Sequence, residues 1–293
     1  MKNEEVTYVD TRPARCQADW LLCTEHAWAV RAMISEIEAH CYVASAKFIE
    51  VRMHDLCAPC SDGYVPPDDD SAFSRHKLFL QSFPLVLRLM LAQQHGAPPA
   101  LLQRLAGDEN ERVRAHVAGH GSTPALALRH LADDAEWEVR RAVAGNPGTP
   151  AETLGYLARN AQQRRCQCRP HAYEIATLVC VARNYRTPQA VLGDLANDEA
   201  RDVRVAVAGN TLAPPAALEK LADDAEWAVR YCVAQNTRTP TATLEKLAGD
   251  EDLDVRMVVA ENPSTPEAIV RRLCDDAVAH VRSVARRRLG RSV

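Results

Sequence analysis

The chain of 293 residues is long enough for one large domain, a domain with an appendage, or an array of repeats. Its net charge of −4 excludes a global electrostatic pull toward nucleic acid or an anionic membrane. Only 5% of the residues are aromatic while Ala, Leu, Val and Arg abound, which suits helices packed through small side chains.

The opening stretch from Met1 to Asp10 is acidic and has no apolar core, so no secretory leader is expected and the predicted location is cytoplasmic. Residues 1–76 read as a small Cys-rich α+β module. Glu5 to Val9 and Lys47 to Met53 alternate or cluster like strands, and Asp19 to Cys41 reads as one or two helices. Ten cysteines in a reducing compartment point to buried thiols or metal ligands rather than disulfides. The chemical signal of the module is the run from His54 to Cys60, in which Cys57 and Cys60 form a Cys-x2-Cys turn. Such a turn lets two thiolates reach one metal, and Gly63 suits the tight bend just after it. Further ligands would come from Cys16, Cys23, Cys41, His26 or His54; in the alternative reading Cys23 and Cys41 pack within helices and no metal is held. Tyr64 to Ser71, rich in Pro and Asp, is a linker or an ordered loop.

The longest apolar run, Leu78 to Ala92, is broken by Gln81, Ser82, Pro84 and Arg88 and is too short and too polar to span a bilayer. Within residues 77–97, Pro84 to His95 reads as a degenerate helix that caps the N-terminal end of a stack of repeats.

From residue 98 to the C-terminus the chain repeats itself. Val-Arg recurs at Val113-Arg114, Val139-Arg140, Val203-Arg204, Val229-Arg230, Val255-Arg256 and Val281-Arg282, mostly in steps of 26 residues. The longer step between the second and third pairs places an insertion at about residues 159–173, a basic segment with Arg164, Arg165, Cys166, Cys168, Arg169 and His171. Either it holds a metal or an anion, or it is a solvated excursion. Each unit encodes two short helices. Thr149, Pro150 and Glu152 predict a capping box with Pro at the first helical position. Asp134 is the expected cap of the second helix, and Asn146 its end, in the left-handed conformation. Val139, Ala142 and Val143 define the buried face. Helices this short cannot persist alone, so neighbouring units must bury one another's stripes in a solenoid. Cys180 and Cys232 fall in a column held elsewhere by Ala, and Cys274 replaces another Ala, so all three read as small core residues. Val270 to Val293 lacks the Asn and Thr-Pro signals and ends in arginines, which predicts a polar C-terminal cap.

The blocks LADDAEWEVRRAVAGNPGTP, LADDAEWAVRYCVAQNTRTP and LAGDEDLDVRMVVAENPSTP make the chain resemble the variant leucine-rich repeat (LRV) proteins over about two-thirds of its length. The resemblance implies a mostly α fold, a right-handed α-solenoid of α and 3₁₀ or short α helices, and an interaction scaffold rather than a reaction. It also implies an N-terminal [4Fe-4S] module, although Cys41 here precedes the Cys-x2-Cys pair. Coordination by Cys23, Cys41, Cys57 and Cys60 suits either [4Fe-4S] or structural zinc.

The Asp and Arg columns recur in every regular unit and are read as structural, Asp as a cap and Arg as a ladder. Partner binding is expected where the repeat varies, three before and one after the Arg on one helix face. There Trp137, Arg141, Trp227, Tyr231 and Met257 form a candidate surface, against the alternative that the two tryptophans pack between helices. No His-Glu dipeptide, phosphate loop or Gly-x-Ser-x-Gly elbow is found, so no enzyme activity is predicted. The expected function is a protein-interaction scaffold with a metal-stabilised N-terminal module and no nucleic-acid or membrane partner. The alternative is a redox or electron-transfer accessory protein carrying an N-terminal [4Fe-4S] cluster.

Overall fold

The computed structural model describes residues 85–165 and 171–290. The expected strands and helices of residues 1–76, and the cysteines placed there, lie outside the described residues. The chain divides into two units, Met1–Gly107 and Asp108–Val293. In the first, α1 (Leu85–Gln93) confirms the expected helix, and α2 (Pro99–Leu105) buries Leu101, Leu102 and Leu105.

The second unit alternates helices throughout. They are α3 (Glu111–Gly119), α4 (Ala125–Leu131), α5 (Trp137–Gly145), α6 (Ala151–Arg165), α7 (His171–Arg183), α8 (Gln189–Leu195) and α9 (Arg201–Gly209). After them come α10 (Pro215–Leu221), α11 (Trp227–Gln235), α12 (Thr241–Leu247), α13 (Leu253–Glu261), α14 (Glu267–Leu273) and α15 (Ala279–Arg288). The second helices of the repeats, the longer of the two in every regular unit, stack in chain order, α3 on α5, α5 on α7, and so on to α15, and make one continuous wall. The core between that wall and the shorter helices is a file of repeated side chains. Leu128, Val139, Val143, Ala144, Leu218, Val229, Val233 and Ala234 are all fully buried. The architecture is therefore the predicted α-solenoid of two short helices per repeat.

The Arg column forms the expected ladder, whereas the Thr and Asn columns carry different duties from those the sequence suggested. The shorter helices start after Pro124, Pro188, Pro214, Pro240 and Pro266, each extended at the cap position with no side-chain cap. The preceding Thr turns backward instead. Thr149 Oγ1 donates to Val143 O at 2.6 Å, as Thr123, Thr187, Thr239 and Thr265 do to the equivalent valines. Thr thus satisfies a helix-end carbonyl that would otherwise be orphaned in the core. Asn146 is not left-handed but extended (φ −73°, ψ 125°). Its Nδ2 donates to Ala118 O and His120 O in the preceding repeat, and its Oδ1 accepts from Gly148 N. Asn184, Asn210, Asn236 and Asn262 repeat this pattern, so each unit is hydrogen-bonded to the one before it through a buried amide. Arg288, 26 residues after Asn262, takes over in the last unit by donating to Ala260 O at 2.7 Å.

The Asp column caps a turn rather than the helix: Asp134 Oδ1 accepts from Glu136 N, and Glu136 itself is the N-cap of α5. The Arg column ties that turn to its neighbours. Arg204 Nη1 donates to Asp198 O and Glu199 O in its own unit, while Nε and Nη2 grip both oxygens of Asp224 in the next, at 2.6 and 3.0 Å. Arg114–Asp134, Arg230–Asp250 and Arg256–Asp276 are the same two-pronged rung.

The insertion breaks this ladder, because Leu178 stands where the Arg should be. Its residues lengthen the flanking helices rather than forming a long loop: α6 gains residues up to Arg165, and α7 begins at His171. The extensions supply replacement rungs. Arg140, robbed of its Asp, donates to Glu174 Oε1 at 2.5 Å, and Asp198, robbed of its Arg, receives Arg165 Nη1 at 2.7 and 2.8 Å. Neither residue was foreseen in this role. Cys166 and Cys168 lie outside the described residues.

Burial raises the pKa of Asp134 and Asp224, but the Arg114 and Arg204 hydrogen bonds, a backbone N–H and nearby guanidinium charge outweigh it and hold both below the usual carboxylate range. Asp276 is lowered first by its bond to Arg256. Such groups add stability that is complete above the unfolded value of about pH 4 and is lost as pH falls through the lower folded-state pKa. Thermal scans should show a melting temperature that drops below about pH 4, and a smaller drop in an Asp134→Asn, Asp224→Asn double variant. An equal drop in both proteins would detach the acid sensitivity from the ladder. The replacement rung predicts that Arg165→Leu, which strands the buried Asp198, costs about 3 kcal/mol in urea unfolding. Arg164→Leu, on the half-buried neighbour whose nearest carboxylate, Asp133, is 3.8 Å away, should change it by no more than about 0.5 kcal/mol.

Candidate interaction surface

The wall of longer helices buries the Val and Ala columns and turns its other face to solvent. On that face the positions three before and one after the ladder Arg lie side by side on one helix and in register with the next. Running along the stack they hold Trp137 and Arg141 on α5, Ile175 and Val179 on α7, and Arg201 and Val205 on α9. Trp227 and Tyr231 come next on α11, then Leu253 and Met257 on α13. Ile175, Val179, Val205, Tyr231 and Met257 are each half-buried, so an apolar stripe crosses the wall, with Arg201 interrupting one of its rows and Arg141 standing at the end of the other.

The five residues singled out from the sequence fall into two groups. Trp137 is sandwiched: its ring stacks on Tyr173 at 4.3 Å and 13°, and the Arg141 guanidinium lies 5.5 Å from its centroid on the same helix. Packing between α5 and the start of α7 therefore accounts for part of the burial of Trp137. Trp227 is different. It is 49% exposed and meets Tyr231 edge to face at 6.2 Å, one turn along α11. Leu253, 42% exposed, and Met257 extend that second group onto α13. The helices α7 and α9 separate the two groups, bridged by Ile175, Val179 and Val205.

Tyr173, Ile175 and Val179 were missed by reading the Val-Arg signature, because Thr177-Leu178 replaces it in that unit. Counting back from Asn184 and Thr187 restores the register and would have found Ile175 and Val179; Tyr173 lies in the insertion, where no column predicts it. Cys180 and Cys232 are half-buried on the wall rather than the core residues that their column suggested. Burial pushes up the pKa of the Cys180 and Cys232 thiols, partly offset by Arg141 and Arg183 for the first and by Arg183 for the second. Cys274 is buried, as its place in an Ala column implied. Cys23, Cys41, Cys57 and Cys60 lie outside the described residues. Among the described residues no group of three His, Cys, Asp or Glu side chains is placed to hold a metal, and no helix is long and apolar enough to cross a membrane.

Residues 137–160, one second helix and the first ten residues of the next helix, match the family model described as leucine rich repeat variant. A solved structure described as a leucine-rich repeat variant with a novel repetitive protein structural motif is similar to this chain at 26% identity and a TM-score of 0.49. The similarity covers 73% of this chain and 80% of that one. No curated protein matches the chain. The family match falls on one part of the stack, where the Thr, Asn, Asp and Arg bonds are those that recur from unit to unit.

Proposed function

We propose that the protein is a non-enzymatic scaffold whose repeat wall holds a segment of another protein against the apolar stripe. The observation that carries this reading is the group on α11 and α13, where Trp227 and Leu253 are exposed beside half-buried Tyr231 and Met257. Large side chains that a fold leaves in water, when contiguous and set on rigid helices, are of the kind that dominates binding hot spots. Trp227 makes no hydrogen bond that fixes it in the core, and its column holds Ala279 and Glu111 in the outer units, so the fold does not require Trp there. The Trp137–Tyr173–Arg141 sandwich offers a second, preorganised anchor at the other end of the stripe.

An N-terminal metal-stabilised module belongs to the same proposal, resting on the Cys57-x2-Cys60 turn with Cys23 and Cys41 as the further thiolates. Metal analysis of the full chain, with and without Cys57→Ala and Cys60→Ala, tests it; equal metal content in both would remove it.

For the wall, a photo-crosslinking side chain at position 253 should capture a partner polypeptide. Trp227→Ala with Tyr231→Ala should then weaken binding of the purified partner about thirtyfold or more, as loss of one hot spot of about 2 kcal/mol would. Far-ultraviolet circular dichroism and the melting temperature should stay near those of the parent. A collapse of the melting transition would instead make the two aromatics structural, and unchanged affinity would take the partner off this face.

A further inference from the structure

Every complete rung of the arginine ladder has two halves. Nη1 anchors the guanidinium to two carbonyls of its own unit, and the remaining edge takes a carboxylate from the next. Arg282 has the first half only. Its Nη1 donates to Asp276 O at 2.7 Å and Ala277 O at 2.9 Å, as Arg256 does to Asp250 O at 2.8 Å and Glu251 O at 3.2 Å. Arg256 then binds Asp276 through Nε and Nη2, whereas Arg282 has no carboxylate partner among the described residues. A further unit of the same kind is disfavoured on this face. Arg286 stands in the column that holds fully buried Ala118, Ala144, Ala182, Ala208, Ala234 and Ala260, and another repeat would bury its charge. Arg286 reaches back to Cys274 O instead.

We infer that Arg282 is a carboxylate-binding site, a preformed guanidinium fork that receives an aspartate from an acidic segment of another protein. The ladder itself supplies the precedent. The same side chain, anchored by the same two carbonyls, grips Asp134, Asp224, Asp250 and Asp276 with both prongs in four other units. A fork held in place beforehand loses little side-chain freedom on binding, and Arg matches a carboxylate with two parallel bonds. Charge complementarity points to an acidic partner. Residues 267–290 contain six arginines and three carboxylates, a net +3, in a chain whose total is −4. The site is independent of the apolar stripe, since it lies in the loop and first turns of the last unit rather than on the row that carries Trp227.

The test uses the full chain and a synthetic heptapeptide with the sequence of residues 221–227, the loop that presents Asp224 to Arg204. Its Asx turn, Asp224 Oδ1 accepting from Glu226 N, is local and can form in a peptide. Binding is read from the Arg Nε–H resonances in nitrogen–proton spectra, with the Arg282 signal assigned by its absence in Arg282→Lys. The peptide should shift that signal selectively. Affinity should fall about tenfold when the Asp equivalent to Asp224 is replaced by Asn, or when Arg282 becomes Lys, which keeps the charge and loses the fork. Arg287→Gln, which removes a charge from the same helix away from the fork, should leave it within about twofold. Equal losses in Arg287→Gln and Arg282→Lys would reduce the effect to net charge and overturn the proposal. So would an Arg282 signal that moves with inorganic phosphate or duplex DNA and not with the peptide, or one that the peptide leaves in place.

Discussion

A buried amide that belongs to one repeat and bonds to the backbone of the one before it is the contact on which the stack depends. In the regular units the first helices have seven residues and the second nine or ten, under the dozen or more that an isolated helix needs. Their ends carry carbonyls that no helical bond can satisfy, and stacking buries some of those ends away from water. Asn236 answers both problems at once, donating to Ala208 O and Asn210 O while its own Oδ1 closes the next turn on Arg238 N. Thr239 satisfies a third carbonyl, that of Val233. Leu and Val fill the volume, but the amide sets the spacing and the angle between units, because its bonds have direction and hydrophobic contact does not.

The arginine rungs do the same on the outer edge of the loops, and the insertion shows how strongly they are required. Twelve extra residues could have formed a solvated loop at little entropic cost. Instead most of them continue the helices, and the extended turns deliver Glu174 and Arg165 to the two half-rungs that the insertion created. An unpaired guanidinium at Arg140, 4% exposed at its side chain, or an unpaired carboxylate at Asp198, 3% exposed, would be costly in this setting. The repair is unequal: Asp198 is held through both oxygens, whereas Glu174 Oε2 is buried without a hydrogen-bond partner. The same extension brings Tyr173 against Trp137, so the irregular unit also shapes one end of the candidate surface.

Much of this was legible in the residues, because a repeated column is a repeated environment. Two helices per unit, the buried Leu and Val files, the structural duty of the Arg and Asp columns, and the buried Cys274 can be read from periodicity alone, whereas Cys180 and Cys232, read the same way, are half-buried. The hydrogen-bond assignments within a column cannot. Thr-Pro reads as a capping box and Asn as a left-handed stop, since those are the local bonds such residues make in isolated helices. In a stack the same donors and acceptors find partners one repeat away, at a sequence distance that a local reading does not weigh. The insertion hid its helices for a related reason: it has no column, so Glu174, Arg165 and Tyr173 carried no signal until the broken ladder showed what was missing. The binding residues are less legible still, because variation in a column says that the fold tolerates change there and says nothing about what occupies the surface.

Equilibrium unfolding of Asn236→Ala in urea tests the claim that the inter-repeat amide holds the stack. The substitution leaves two carbonyls of the preceding repeat without their donor and touches no apolar side chain of the core. Loss of about 2–3 kcal/mol is expected, with a transition that broadens or splits as the repeats on either side uncouple. A midpoint and slope equal to those of the parent would contradict it, and would leave hydrophobic contact alone to hold the units in register.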